Sequence, residues 1–170
     1  MFSLTARSAF SYNGKRAMSI YQNLEDLGII LPAAATPAAA YVPFVRTGNL
    51  VFLSGHISKK DGKPWTGQLG NGMAVDEGKA AARSVAADLM GTLHAATDGN
   101  LDRIHRIVSL MVLVNSAPTF TEHHLVANGC SELLGEVFGD AGKHARAAYG
   151  VAQIPFGCCV EITLVAELKG

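Results

Sequence analysis

Residues 144–162 have the sequence His-Ala-Arg-Ala-Ala-Tyr-Gly-Val-Ala-Gln-Ile-Pro-Phe-Gly-Cys-Cys-Val-Glu-Ile, which predicts a strand, a turn and a second strand. Small residues dominate the first predicted strand, 145–152, and Pro155 with Gly157 favours a turn. Apolar and polar residues alternate along the second, 158–168. One face carries Val160, Ile162, Leu164, Ala166 and Leu168, and the other carries Cys159, Glu161, Thr163, Val165 and Glu167. This alternation predicts a strand with one buried face.

Two charged residues in this stretch are candidates for a site. Arg146 shares a strand face with Ala148 and Gly150, whose small side chains leave room for a ligand beside the guanidinium. Glu161 points away from the more apolar face of its strand. The alternative is an arginine at a sheet edge and a solvated glutamate, since charged residues on one face of an antiparallel strand are ordinary.

The rest of the chain supplies a hairpin and two long helices. Residues 41–45 and 50–53 are predicted strands around Gly48-Asn49, a hairpin signal. An apolar stripe predicts a helix over 74–97: Ala82, Val85, Ala86, Leu89, Leu93 and Ala96. Thr119 and Glu122 match a capping box that would open the second helix, which Gly139 closes. Its buried stripe is Val126, Cys130, Leu133, Leu134 and Val137, and helical geometry places Asn128 nearly opposite, beside His124, Ser131 and Gly135.

One further strand is apolar on both faces. Residues 106–115 contain Ile-Val-Ser-Leu-Met-Val-Leu-Val between polar ends, so we expect both faces to be buried. Two long helices cover only one face of a sheet. The simplest cover for the other face is a second copy of the chain. The predicted order is β-β-α-β-α-β-β, an α+β domain with helices on one side of a mainly antiparallel sheet.

These motifs together resemble the RidA family, also called the YjgF or L-PSP endoribonuclease family. The resemblance covers roughly residues 37–168. It rests on Ala-Arg-Ala-Ala around Arg146 followed by the Ile-Pro turn and Val-Glu-Ile, and on four further elements: Tyr41, Gly48-Asn49, Ser54-Gly55 and Asn128. It implies a chorismate-mutase-like fold, assembled as a homotrimer with clefts between subunits.

The resemblance also implies an activity, the hydrolysis of reactive 2-imino or enamine acids to 2-keto acids and ammonia. Arg146 would bind the substrate carboxylate, and Glu161 would hold water and pass protons. Substrate-binding residues would be Tyr41, Ser54, Gly55, Asn128 and Ala148. No metal or organic cofactor is implied. The chain departs from the usual family pattern at Ala148, where a cysteine is common, and at Thr163, where many members have a second glutamate, which places it in a longer, divergent branch.

Composition bears on the rival functions. The 14 Lys and Arg residues balance the 14 Asp and Glu residues, so long-range attraction of nucleic acid is not expected. A single-stranded RNA endoribonuclease or translation inhibitor, and a non-catalytic carboxylate-binding or chaperone-like module, remain as alternatives. Three cysteines without metal-ligand spacing fit a reducing compartment, and no apolar run is long enough for a membrane span.

Residues 1–17 differ from the rest, because they contain basic but no acidic residues. They are a presequence, a leader added by a start codon upstream of Met18, or a cloning remnant. We expect a dispensable leader, followed by one domain over 18–170. The location is expected to be cytoplasmic, or mitochondrial if the leader is a presequence.

Overall fold

The protein is described by a computed structural model that covers residues 19–34 and 40–170. Its three α-helices are α1 (Ile20–Asp26), α2 (Val75–Ala96) and α3 (His123–Phe138). The strands in chain order are β1 (Phe44–Thr47), β2 (Leu50–Ile57), β3 (Lys59–Lys60), β4 (Lys63–Pro64), β5 (Gln68–Leu69), β6 (Gly72–Met73), β7 (Ile104–Asn115), β8 (Ala145–Val151) and β9 (Val160–Leu168).

Five strands form the main sheet, in the order β1-β2-β9-β7-β8. All neighbours are antiparallel except β7 and β8, which run parallel. The consecutive strands β8 and β9 therefore lie on opposite sides of β7, and the turn at Pro155–Gly157 carries the chain across the end of β7. The alternation in β9 is confirmed, because Val160, Ile162, Leu164, Ala166 and Leu168 are all buried.

The core lies between one face of this sheet and the pair α2–α3. Both predicted helix stripes are confirmed as buried. The two helices approach closely at Gly129, where a Cβ would collide with the carbonyl oxygen of Lys79. Ion pairs on the outer surface join the same helices: Lys79–Glu132 at 2.8 Å and Arg83–Glu136 at 2.6 Å. The helix layer is thus fixed against the sheet by apolar packing and a close backbone contact.

None of the described helices covers the opposite face of the sheet. Phe52, Met111 and Tyr149 are 43%, 42% and 44% exposed there. The expectation that both faces of β7 are buried is therefore met on the helix side alone. Apolar side chains on an open sheet face mark a surface suited to association with another chain.

Residues 19–34 pack on the helix layer, where Leu24 joins the core. The short helix α1 lies in this segment, and Gly28 follows it with a φ of 65°. The Tyr21 hydroxyl donates to the carbonyl oxygen of Gly99 at 3.2 Å and accepts from the amide of Leu101 at 2.9 Å. The predicted leader, residues 1–17, lies outside the described residues, so its dispensability stays a prediction.

Two local predictions differ from the structure. The strand β1 begins at Phe44 rather than Tyr41. The helix α3 begins at His123 with Glu122 as its N-cap, and no side-chain hydrogen bond caps it, so the predicted capping box is wrong. Residues 59–73 contain short paired strands. No helix in the described ranges is long and apolar enough to cross a membrane.

Candidate functional site

Arg146 projects from β8 toward α3. It pairs with Leu110 of β7, which is buried beneath the helices, so Arg146 is on the helix side of the sheet. Its Nη1 donates to Asn128 Oδ1 and to Ser131 Oγ, both at 3.0 Å, and its Nη2 donates to the carbonyl oxygen of His124 at 3.3 Å. The structure therefore brings together Arg146 and Asn128, two residues that the sequence singled out.

The partners of Arg146 are all neutral. None of the ion pairs among the described residues includes Arg146. The side chain is exposed, yet three acceptors on one helix fix its position. A guanidinium held in this way keeps its charge available for an anion, and its planar fork suits a carboxylate.

His144 extends this network behind Arg146. Its Nδ1 lies 2.6 Å from the carbonyl oxygen of Gly142 and therefore carries the proton, which leaves Nε2 to accept from Ser131 Oγ at 3.0 Å. The Ser131 oxygen is then free to accept from Arg146. Burial, opposed by the hydrogen bond to Gly142 and aided by the charge of Arg146, lowers the pKa of His144, so the imidazole is neutral at neutral pH.

Glu161 lies in β9 on the open side of the sheet. Its carboxylate sits over Gly55 of β2, where a Cβ would collide with Glu161 Oε1. This contact is possible because β2 has a bulge between Leu53 and His56, which places Ser54 and Gly55 opposite a single residue of β9. Partial burial raises the pKa of Glu161 above its ordinary value.

His56 fixes the bulge that carries Ser54 and Gly55. Its Nδ1 lies 2.8 Å from the carbonyl oxygen of Ser54, and its Nε2 lies 2.7 Å from the hydroxyl of Thr92, which is fully buried in α2. Burial lowers the pKa of His56. Ser54 Oγ donates to the carbonyl oxygen of Val42 at 2.6 Å, so this hydroxyl could act toward a ligand only as an acceptor while the bond is kept. Sequence reasoning missed His56, since its role depends on the bulge.

Ala148 and Tyr41 are the remaining predicted site residues. Ala148 is on the helix side in line with Arg146, and it packs partly against the core. Tyr41 is 55% exposed next to the start of β1. The described residues contain no group of three His, Cys, Asp or Glu side chains that could hold a metal. The adjacent side chains of His123 and His124 have different surroundings. His123 Nε2 contacts Ser116, whereas the His124 side chain is exposed.

Arg146 and Glu161 do not meet within one chain. Arg146 pairs with Leu110 of β7 and Glu161 pairs with Leu113. Positions three apart on a strand point to opposite faces. A site that uses both side chains therefore needs a second copy of the chain.

Comparison with known proteins assigns the chain to a family. The family described as "YjgF/chorismate mutase-like, putative endoribonuclease" matches residues 22–168, and the chain belongs to it. Protein TCP17 of Trypanosoma cruzi is 51% identical over 149 residues, which are 86% of this chain and 92% of that protein.

Two solved structures are also similar over most of the chain. One is a protein of unknown function from Agrobacterium tumefaciens, 40% identical with a TM-score of 0.81, covering 88% of this chain and 94% of that one. The other is a protein from Shewanella oneidensis that is described as a "putative endoribonuclease". It is 32% identical with a TM-score of 0.84, covering 89% of this chain and 100% of that one. The chain therefore has the YjgF/chorismate mutase-like α+β fold.

Proposed function

We propose that the protein hydrolyses reactive 2-imino and enamine acids to 2-keto acids and ammonia. The observation that carries this proposal is the fixed position of Arg146, which is held by three neutral acceptors and remains accessible. The planar fork of the guanidinium can bind a carboxylate through two parallel hydrogen bonds. Each charge-assisted hydrogen bond from the guanidinium would contribute about 1.5–3 kcal/mol.

Glu161 would supply the proton transfers. A water molecule adds to the carbon of the C=N bond while the Glu161 carboxylate accepts a proton from it. With the imine in its protonated form, this addition gives a neutral carbinolamine, and the protonated Glu161 then donates to its amino group. The C–N bond breaks as the carbinolamine hydroxyl becomes the carbonyl and passes its proton to the Glu161 carboxylate, so the 2-keto acid and ammonia leave, and Glu161 returns that proton to solvent. A carboxyl group whose pKa is raised by burial is better matched to this cycle near neutral pH than an ordinary one. The imine carbon is already electrophilic, so positioning and proton transfer can suffice.

The proposed site lies between copies of the chain. The open sheet face, with Phe52, Met111 and Tyr149, would pack against a neighbour, and the assembly would be the homotrimer that the family resemblance implies. Arg146 of one copy would then face Glu161, Ser54 and Gly55 of another. This arrangement explains how two residues on opposite faces of one sheet could act on one substrate.

The decisive assay measures ammonia release from imino acids generated freshly by an amino-acid oxidase. The purified chain should accelerate ammonia release several-fold or more over the spontaneous rate. Binding of 2-keto acids without any acceleration would favour the carboxylate-binding module instead. Cleavage of single-stranded RNA, with retention that falls steeply as salt rises, would favour the endoribonuclease.

A further inference from the structure

A cleft opens on the helix side of the sheet where β7 and β8 end beside the start of α3. It is lined by Ser116, Ala117, Pro118, Phe120, His123, Gly150, Val151 and Ala152. Ser116 Oγ and His123 Nε2 lie 3.0 Å apart on one side of it. A Cβ on Gly150 would lie 2.5 Å from Ser116 Oγ and 2.7 Å from His123 Nε2. Glycine at position 150 therefore keeps this polar pair accessible.

Arg146 lies on the same face of β8 as the glycine that borders this cleft. Arg146, Ala148 and Gly150 occupy the same face of β8, so Gly150 is about 13 Å along the strand from Arg146. The guanidinium bends toward His124, whose carbonyl oxygen accepts from it and which directly follows His123. The methyl group of Ala148 is the only side chain of β8 between the two ends on this face. A ligand anchored at Arg146 can therefore extend toward Ser116 and His123.

The chemistry at the far end of the cleft is uncharged. No Asp, Glu, Lys or Arg is among its lining residues. Phe120 meets the His123 ring edge to face at 5.1 Å. Burial, followed by the neighbouring His124, lowers the pKa of His123, so its ring is neutral at neutral pH. Desolvation of a charged side chain here would find no opposite charge to compensate it.

The Ser116–His123 pair can bind either a hydrogen-bond donor or a hydrogen-bond acceptor of a ligand. If the hydroxyl donates to Nε2, the oxygen of Ser116 accepts from a ligand. If Nε2 carries the proton and donates to Ser116, the hydroxyl donates to the ligand. The pair thus suits a hydroxyl or an amide, each of which can donate and accept.

We infer that this cleft is the side-chain subsite of the enzyme, and that it selects 2-imino acids with an uncharged side chain ending in a hydroxyl or amide. The inference rests on the proposed function for the carboxylate end at Arg146. It assigns specificity to Ser116, His123 and Gly150, which no sequence motif singled out together.

A purely structural role for Ser116 and His123 would have different consequences for ligand binding. Ser116 and His123 also close the connection 116–122 between β7 and α3, so their loss could act through stability alone. Such a role would change the binding of every ligand alike. A subsite changes the ratio between two ligands that differ by one hydroxyl group.

The test compares two 2-keto acids as product analogues, 4-hydroxyphenylpyruvate and phenylpyruvate, by calorimetric titration. The hydroxyl compound should bind about threefold to tenfold tighter, the effect of one neutral hydrogen bond. Ser116→Ala should bring the ratio close to one, while pyruvate, which is too short to reach the pair, should bind as before. Thr121→Ala, which removes an exposed hydroxyl nearby, is the matched control and should keep the ratio.

Gly150→Ala tests the same subsite by reducing the space available to a ligand. The added methyl group should weaken both aromatic keto acids tenfold or more and leave pyruvate binding unchanged. Equal affinities of the two aromatic acids for the unmodified protein, a ratio that survives Ser116→Ala, or failure of both aromatic acids to bind would each overturn the inference. Ammonia release from short imino acids is measured separately, so a failed subsite and a failed activity remain distinguishable.

Discussion

Arg146 and Glu161 lie on opposite faces of one sheet, beside positions of β7 that are three residues apart. Arg146 contacts α3 through Asn128, whereas Glu161 contacts Gly55 across the bulge of β2. Each of the two side chains is therefore positioned by a different set of neighbouring residues. The proposed chemistry joins the two sets only when one copy of the chain meets another.

Replacing Arg146 should weaken carboxylate recognition. Arg146→Ala removes two charge-assisted hydrogen bonds of about 1.5–3 kcal/mol each, so kcat/KM for imine hydrolysis should fall on the order of a hundredfold or more. Arg146→Lys should recover part of this loss, because it retains the charge but not the fork. Arg106→Ala, at an exposed arginine on β7, is the control and should retain activity. Full activity in Arg146→Ala would show that the carboxylate binds elsewhere.

Replacing Glu161 should separate chemistry from binding. Glu161→Gln keeps the shape of the side chain and removes the proton acceptor, so kcat should fall while a 2-keto acid still binds. Because burial raises the pKa of Glu161, the acid limb of the kcat/KM profile should lie above the ordinary pKa of a glutamate. That limb should disappear in Glu161→Gln. A profile unchanged in shape would assign the proton transfer to another group.

The same pKa shift predicts a stability effect with a definite sign. A raised pKa means that the folded chain favours protonated Glu161, so ionisation costs stability as pH rises through the folded-state pKa. Glu161→Gln should therefore melt at a higher temperature than the unmodified protein at pH 7. The difference should vanish at a pH below the unfolded-state pKa. A lower melting temperature for Glu161→Gln at pH 7 would contradict a desolvated carboxylate.

The open sheet face should control assembly. Met111→Lys places a charge among exposed apolar side chains on that face, so it should reduce the mass measured by light scattering from trimer toward monomer. Ile30→Lys makes the same kind of change at a side chain that is 92% exposed and outside the sheet, and it should leave the mass unchanged. A trimer that survives Met111→Lys would place the interface on another surface.

Two glycines of α3 provide a matched test of the helix packing. Gly129→Ala would put a methyl group against the Lys79 carbonyl oxygen, and we expect a loss of about 1–3 kcal/mol in the free energy of unfolding. Gly135→Ala meets no atom of residues 19–34 or 40–170 within 4 Å and should gain up to about 1 kcal/mol from helix propensity. Thermal unfolding of both variants measures the difference. Equal melting temperatures would mean that α2 and α3 are less closely packed than described.

Local periodicity predicted most elements of the fold. The alternation in β9 and the apolar stripes of α2 and α3 each follow from burial of one face, which sequence spacing records directly. The start of α3 was predicted wrongly, because Thr119 and Glu122 fit a capping pattern although the helix begins only at His123. Capping residues are common in loops, so spacing alone does not fix a helix start.

Contacts between distant segments could be predicted only in part. Asn128 was placed on the outward face of α3 from helical geometry, but its hydrogen bond to Arg146 depends on β8 lying next to that helix. The opposite orientations of Arg146 and Glu161 depend on both strands pairing with β7, an order that the sequence does not contain. The Ser116–His123 pair and the contact of His56 with Thr92 likewise depend on tertiary closure.

Mixing two inactive variants tests the shared site most directly. Arg146→Ala and Glu161→Gln chains are unfolded together, refolded as a mixture and assayed for ammonia release. If each site takes Arg146 from one copy and Glu161 from its neighbour, random assembly restores both residues at about one site in four. The mixture should then show about a quarter of the activity of the unmodified protein, far above either variant alone. Activity that stays at the mean of the two separate variants would contradict a site built between copies of the chain.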